Sequence, residues 1–153
     1  MRKINLKYLL IAVTAVFLTA LIGSMFTEIG AWYESIKPSI TPPSYVFPIA
    51  WTILFVLIAV SMYISLTRAK KHQKKVVAVI FSINLVLNIL WSFLFFKLKS
   101  PFASLIEILL LWISIVLMLA VTYKINKTSF YLIIPYLLWV SFATLLNYLI
   151  VFG

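Results

Sequence analysis

Five long apolar runs, separated by short polar segments, make up almost the whole chain. Each run is nearly free of charge and holds about 20 residues, the length that an α-helix needs to cross the hydrocarbon core of a bilayer. A transmembrane β-strand needs about half that length and alternates polar with apolar side chains, which these runs do not. The pattern therefore predicts an all-α membrane protein, a bundle of five transmembrane helices. The spans are predicted at about 6–26, 45–67, 76–97, 102–123 and 129–151.

The composition indicates a single membrane domain over residues 1–153. Hydrophobic residues make up 65% of the chain and charged residues only 10%, whereas soluble domains average roughly 45–50% apolar and about 25% charged residues. The first apolar run follows basic residues, as in a secretory signal peptide. It is too long for one, and no clear cleavage site follows it. We therefore expect the first span to remain in the protein as a helix.

The net charge of +10 comes from Lys and Arg in short clusters between the apolar runs. This placement is typical of loops held on the cytoplasmic side of a membrane, and it does not indicate nucleic-acid binding. Three cations, Lys37, Lys97 and Lys99, lie on the side opposite the amino terminus. The other ten are Arg2, Lys3, Lys7, Arg68, Lys70, Lys71, Lys74, Lys75, Lys124 and Lys127. The count predicts a cytoplasmic amino terminus and a carboxyl terminus outside, with the lipid bilayer itself as a partner.

Tryptophans inside the spans are the first departure from a purely structural bundle. Trp usually lies at the membrane interface, and Trp32 follows that rule. Trp51, Trp91, Trp112 and Trp139 lie several residues inside their spans, where a buried indole needs an acceptor for its N–H group. We expect Trp112 simply to pack between helices. The neighbours of the other three point to more than packing.

Three stripes of aromatic and amide residues mark the second, third and fifth spans. Spacings of three or four residues place the members of each stripe on one face of a helix. The stripes are Phe47, Trp51, Phe55 and Ile58; Phe81, Asn84, Asn88 and Trp91; and Pro135, Trp139, Ala143 and Asn147. Aromatic walls with a few amides predict a pocket for a flat, mostly apolar ligand. Hydrogen bonds that tie helices together explain the amides equally well, and spacing alone does not separate the two interpretations.

The loop 27–44 between the first two spans is much longer than the other connections. Long ordered loops in compact domains tend to be functional. Pro38, Pro42 and Pro43 stiffen it, and Trp32 and Tyr33 give it apolar side chains. These features predict either a lid over the outer mouth of the bundle or an anchor at the membrane interface.

Residues for acid–base, nucleophilic or metal chemistry are scarce in the sequence. There is no cysteine, and the one histidine, His72, lies in a basic loop where we expect it to be solvated. No Ser/His/Asp set, metal cluster or phosphate-cradling glycine loop is recognisable. Glu107 is the only acidic residue within a span, and we expect it to reach the outer interface or to pair with Lys97 or Lys99. A proton relay needs a chain of ionisable groups, which the spans lack.

Several motifs resemble those of the translocator protein family (TspO/MBR), also known as peripheral benzodiazepine receptors. The first two are Gly30-Ala-Trp-Tyr-Glu-Ser-Ile-Lys-Pro-Ser-Ile-Thr-Pro-Pro43 and Val46-Phe-Pro-Ile-Ala-Trp51. The others are Asn84 with Asn88-x-x-Trp91, and Pro135-Tyr-Leu-Leu-Trp139 with Phe142-Ala-Thr-Leu-Leu-Asn147-Tyr148, on the third and fifth helices. The resemblance covers essentially the whole chain. Bacterial members are called tryptophan-rich sensory proteins (TspO), and this chain is expected in a bacterial cell membrane.

The resemblance implies a tetrapyrrole-binding pocket near the end that bears the long loop. Family members bind protoporphyrin IX and synthetic ligands of the isoquinoline carboxamide and benzodiazepine types. Some bacterial members promote light- and oxygen-dependent porphyrin breakdown, and the tryptophans linked to it match Trp51 and Trp139. The implied pocket residues are Trp32, Tyr33, Pro43, Phe47, Trp51, Phe55, Asn84, Asn88, Trp91, Trp139, Phe142, Ala143 and Leu146. No cofactor is required, because the porphyrin is itself the ligand or substrate.

Three functions are compatible with these residues. The first is a porphyrin-binding protein that senses or degrades tetrapyrroles. In this hypothesis Trp51 and Trp139 flank the macrocycle and exchange an electron or oxygen with it, and Asn84 and Asn88 hydrogen-bond ligand carbonyl or propionate groups. The second is a transporter of porphyrins or other amphipathic molecules, although no inverted repeat or broken helix is visible. The third is a regulatory binding module without catalysis. The family resemblance implies a homodimer in each case.

A cholesterol-recognition pattern is incomplete at the end of the last span. Animal members of the family carry Leu or Val, then Tyr, then Lys or Arg at this position. Here Leu145 and Tyr148 are present, but no basic residue follows Tyr148. The motif is weak even when complete, so high-affinity cholesterol binding is not predicted.

Overall fold

A computed structural model describes residues 4–153, and every regular element within them is a helix. Five helices are long and apolar enough to cross a membrane. They are α1 (Leu6–Phe26), α3 (Val46–Arg68), α4 (Lys71–Ser92), α5 (Pro101–Ile125) and α6 (Lys127–Phe152). The prediction of an all-α bundle with five spans is confirmed. Arg2 and Lys3, which entered the charge count, lie outside the described residues.

The structure adds two features that the span pattern did not predict. A short helix, α2 (Ala31–Ile36), lies within the long loop, and a π-helical turn (Phe93–Lys97) continues α4. In addition, α4 begins at Lys71 and not near residue 76. Most of the basic cluster that was expected to be loop therefore forms the first turns of α4.

Polar residues fix the helix boundaries at several ends. The Asn5 side-chain oxygen accepts a hydrogen bond from the Tyr8 amide at 3.3 Å, and Asn126 accepts one from the Ser129 amide at 3.2 Å. These caps satisfy amides that have no partner within their own helix. Pro101 opens α5, where the N–H group that proline lacks has no intrahelical partner to lose.

The helices pack around one apolar core. Helix α6 contacts α5 and α3, α4 contacts α5 and α1, and α1 also contacts α3. Ile58, Phe81 and Ile115 are completely buried between them. Apolar side chains on the outside, such as Phe17 and Val56, stay exposed, as suits a surface that faces lipid.

Buried hydroxyls join α3 to α6 in the half of the bundle farther from α2. The Ser61 hydroxyl donates to the Ser129 carbonyl at 2.9 Å, and the Ser129 hydroxyl donates to the Ser61 carbonyl at 2.8 Å. Small residues allow this close approach of two backbones in a membrane. This half of the bundle is therefore tied together by hydrogen bonds, whereas the other half contains the cavity described below.

The π-helical turn and α2 form an aromatic cluster at that other end. The turn brings Phe95 and Phe96 inward, where they are 2% and 8% exposed. Trp32 contacts Phe95 with ring centroids 5.6 Å apart, and Tyr33 contacts Phe96 at 5.8 Å. Such π turns are frequent at functional sites, and this one holds α2 across the end of the bundle.

Candidate ligand-binding cavity

A cavity of about 250 Å³ lies at the end of the bundle that carries α2. Helices α1, α3, α4 and α6 contribute its walls, and α2 with the π-helical turn covers part of its end. The lining residues are Ala20, Gly23, Ser24, Thr27, Ile29, Tyr33, Phe47, Pro48, Trp51, Phe55, Asn88, Trp91, Ser92, Phe95, Phe96, Trp139, Ala143, Leu146, Asn147 and Ile150. A largely aromatic wall with a few amides and hydroxyls suits a flat, mostly apolar ligand.

Most of the pocket residues named from the sequence come together here. Those that line the cavity are Tyr33, Phe47, Trp51, Phe55, Asn88, Trp91, Trp139, Ala143 and Leu146. The four that do not are Trp32, Pro43, Asn84 and Phe142. Trp32 stands behind Phe95, and Phe142 borders a shallow outward depression between α3 and α6. The three stripes thus converge on one site, but that site includes only part of the predicted set of residues.

The wall that α1 contributes was missed by the sequence reasoning. Ala20, Gly23 and Ser24 line the cavity from this helix, and Thr27 lines it from the helix's C-terminal cap. Their spacing of three, one and three places them on one helical face. A stripe of small residues was the available signal, because small side chains leave room for a cavity where aromatic ones fill it.

The cavity tryptophans differ in how their N–H groups are satisfied. The Trp91 indole donates to the Asn147 side-chain oxygen at 3.2 Å. Within the described part of the chain, the indole N–H groups of Trp51 and Trp139 make no hydrogen bond, and neither nitrogen is buried without a partner. Trp51 and Trp139 therefore line the cavity with indole N–H groups that are not committed to a hydrogen bond within the described residues.

The amides of the third span serve two purposes. Asn84 is fully buried, donates to the Ser114 hydroxyl at 2.8 Å, and accepts from the Tyr136 hydroxyl at 3.2 Å. Asn88 donates to the Tyr136 oxygen at 3.0 Å and also lines the cavity. Asn84 thus ties helices together, whereas Asn88 belongs to both the network and the cavity wall. Of the two amides expected to contact a ligand, only Asn88 lies where a ligand in the cavity could reach it.

Helix α2 covers the end of the cavity with the side chain of Tyr33. Its ring contacts Phe47 at 6.4 Å and Phe95 at 6.2 Å, and the residue is 6% exposed. Burial raises the pKa of the Tyr33 phenol, and the neighbouring Glu34 carboxylate raises this pKa further. The phenol therefore stays neutral to a higher pH than that of an exposed tyrosine, and it remains packed against its aromatic neighbours. This position matches a lid over the end of the cavity.

Comparison with known proteins supplies the family. A model of the TspO/MBR family matches residues 10–152. This chain belongs to the TspO/MBR family. The tryptophan-rich protein TspO of Chlorobaculum tepidum is 44% identical to it over 132 residues, 84% of each chain. TspO of Archaeoglobus fulgidus is 38% identical over 149 residues, 95% of this chain and 96% of the relative. The translocator protein of Homo sapiens is 28% identical over 132 residues, 83% of this chain and 78% of the relative.

Two polar side chains of this TspO/MBR protein differ from their expected positions. Trp112 is 37% exposed, and its indole donates to the Ser141 hydroxyl at 2.9 Å, so it bridges α5 and α6 on their outer face. Glu107 is only 4% exposed, and neither carboxylate oxygen has a hydrogen-bond partner in the part of the chain that the structure describes. The expectation that Glu107 reaches the interface or pairs with Lys97 or Lys99 is wrong. The inward-facing side of α5 points Glu107 into the bundle, beyond the reach of either lysine.

We predict that Glu107→Leu stabilises this TspO/MBR protein. Leucine has a similar size and removes two buried acceptors that have no donor, so the free energy of unfolding should rise by about 1–3 kcal/mol. Glu107→Gln keeps an unsatisfied polar group and should gain less. Unfolding followed by circular dichroism in detergent measures both variants. A less stable Leu variant would show that the carboxyl makes a favourable polar contact in the folded protein.

Proposed function

We propose that this protein binds protoporphyrin IX and related tetrapyrroles in its aromatic cavity and promotes their light- and oxygen-dependent breakdown. Isoquinoline carboxamide and benzodiazepine-type molecules are proposed as further ligands of the same cavity. The observation that carries the proposal is the pair Trp51 and Trp139. They line one cavity from α3 and α6 with indole donors that have no acceptor in the described part of the protein.

The proposed breakdown needs light, O₂ and an oxidisable wall, and it needs no acid or base. One O₂ adds to the carbon–carbon double bond between a methine bridge and a pyrrole ring of the excited porphyrin. Cleavage of that bond leaves two carbonyl groups. This step balances with no other oxidant or reductant. An indole beside the ring donates an electron transiently to the excited macrocycle and recovers it once oxygen has added. Trp51 and Trp139 are the proposed donors.

The cavity volume supports partial insertion of a tetrapyrrole. At about 250 Å³, the cavity is slightly below the roughly 300–1,000 Å³ that is typical of ligand pockets. A small aromatic ligand fits inside, whereas a macrocycle must extend beyond the walls. Three lining residues near the ends of α1 and α3, Ser24, Thr27 and Pro48, are exposed and mark the opening. We propose that one edge of the ring enters there while the opposite edge remains outside.

A titration of the purified protein with protoporphyrin IX tests this proposal. Tryptophan fluorescence is followed in the dark, and the porphyrin absorption spectrum is then followed under illumination in air. We expect saturable quenching, because Trp51, Trp91 and Trp139 border the ligand, and then protein-dependent loss of the porphyrin bands. Saturation without any protein-dependent product would leave a binding or sensing protein and overturn the catalytic part. Absence of saturation would overturn the proposal as a whole.

Orientation, compartment and assembly belong to the same proposal. We place the protein in a bacterial cell membrane, with the amino terminus in the cytoplasm and the cavity near the outer face. The described cations support this orientation, since only Lys37, Lys97 and Lys99 lie at the cavity end. A homodimer is proposed from family membership, and the mass of the protein in nanodiscs tests it.

A further inference from the structure

Lys99 adopts a backbone conformation that the rest of the described chain avoids. Its φ of 49° is the only positive value among the described residues. The residue follows the π-helical turn, and the Ser100 amide donates to the Leu94 carbonyl at 3.1 Å across it. Helix ends of this kind usually place glycine or asparagine in the left-handed conformation, because a Cβ atom is unfavourable there. A lysine at this position lowers stability relative to glycine, which points to a role for its side chain.

This turn holds the Lys99 ammonium beside the covered end of the cavity. The amino nitrogen lies 5.9 Å from the centre of the Trp32 ring, within the range of a cation–π contact. Trp32 in turn contacts Phe95, which lines the cavity. Lys97 directly follows Phe96, another lining residue, and is exposed. The Lys99 ammonium therefore stands one aromatic layer away from the cavity wall, and Lys97 lies at the end of the turn that contributes to that wall.

Neither lysine has an acidic partner within residues 4–153. The only ion pair among the described residues joins Lys37 to Glu34. Glu28, the other acidic residue at this end, follows the end of α1 and makes no ion pair with Lys97 or Lys99. The cavity wall itself contains no cationic residue. Among the described residues at this end, the unpaired positive charges available to a ligand with carboxylates are therefore those of Lys97 and Lys99.

We propose that Lys97 and Lys99 form a carboxylate-binding rim that selects tetrapyrroles with free acid side chains over neutral analogues. The inference rests on the proposed function, because the macrocycle must project from a cavity smaller than itself. Thr27 at the opening leads directly into α2, so an acid-bearing edge that projects from the opening along α2 approaches both ammonium groups. Lysine suits flexible acid side chains, since it acts as a mobile point charge and needs no fixed bidentate geometry.

A comparison of protoporphyrin IX with its dimethyl ester tests the rim. The ester keeps the ring but has no carboxylate, so the ratio of the two affinities isolates the charge term. Dark fluorescence titrations in nanodiscs of zwitterionic lipid give both affinities for the wild type, Lys97→Gln and Lys99→Gly. We expect each substitution to lower the ratio of acid to ester affinity by on the order of five-fold, which corresponds to about 1 kcal/mol. The ester affinity should not change.

The choice of glycine separates charge from folding. Glycine accepts a φ of 49° without strain, so Lys99→Gly should unfold at the same or a higher temperature than the wild type. Lys75→Gln, an exposed lysine at the opposite end, is the matched control and should leave the ratio unchanged.

The possible outcomes separate the rim from the proposed function. If Lys99→Gly weakens acid and ester equally, Lys99 has a structural role and the rim is wrong. An unchanged ratio in both variants also overturns the rim, while saturable binding of either ligand leaves the proposed function standing. If neither ligand binds the wild type, the proposed function fails and the rim fails with it.

Discussion

The double substitution Trp51→Phe, Trp139→Phe should reduce light-driven loss of protoporphyrin IX to the rate of a protein-free control. Phenylalanine keeps an aromatic ring in the wall, but it has no N–H donor and is much harder to oxidise than an indole. Both tryptophans line the same cavity, and neither indole N–H donates a hydrogen bond to the described part of the protein. The decay of porphyrin absorbance under constant illumination in air measures the effect, with the two single variants alongside.

Trp112→Phe is the matched control for this double variant. It also removes an indole, but Trp112 lies outside the cavity and bonds to Ser141 on the outer face. Degradation should therefore stay at the wild-type rate. Dark binding should survive in the double variant, because aromatic exchanges of similar shape are usually tolerated. A double variant that degrades porphyrin as fast as the wild type would contradict the role of both indoles. One that no longer binds in the dark would show that the rings serve binding.

The aromatic walls were predictable because periodicity fixes the direction in which a side chain points. Phe47, Trp51 and Phe55 follow spacings of four on one span, and all three line the cavity. Trp139 and Ala143 do the same on α6. A helix that spans a membrane is long and regular, so residues that share a face in sequence still share it after packing.

Depth along a helix was not predictable from the same pattern. Asn84 and Asn88 lie one turn apart on one face, yet only Asn88 reaches the cavity. The difference comes from other helices, because Ser114 and Tyr136 bond to Asn84 and close the bundle at that level. Spacing within one segment contains no information about where such partners lie.

The parts of the cavity that depend on backbone conformation were also not predictable from the spacing of aromatic and polar residues. The π-helical turn brings Phe95 and Phe96 inward, yet nothing in their spacing distinguishes it from a continued α-helix. The wall from α1 depends on small residues, which a search for aromatic and polar side chains passes over. The buried, unpaired position of Glu107 likewise follows from how α5 turns its face toward α4 and α6.

Filling the cavity from α1 should cause the largest loss of affinity, and Gly23→Leu is the variant that does so. A Cβ atom added at Gly23 would meet its nearest neighbour, the Ser92 hydroxyl, at 3.8 Å, which is an ordinary contact. Alanine therefore fits, whereas a leucine must extend into the space of about 250 Å³ that the ligand needs. Overpacking of a filled site costs about 1–3 kcal/mol, so Gly23→Leu should weaken protoporphyrin binding by up to about a hundredfold.

Gly23→Ala is the control that gives this experiment its meaning, because it changes the same position without occupying the cavity. Its affinity in dark fluorescence titrations should remain close to that of the wild type, and both variants should unfold near the wild-type temperature. A porphyrin is apolar enough to adsorb on the lipid-facing surface, where side chains such as Phe17 and Val56 are exposed. Adsorbed ligand would not respond to either substitution, so equal binding by the Leu and Ala variants would place the ligand outside the cavity. A loss confined to the Leu variant requires the ligand to occupy the space beside Gly23, in the same cavity that Trp51 and Trp139 line.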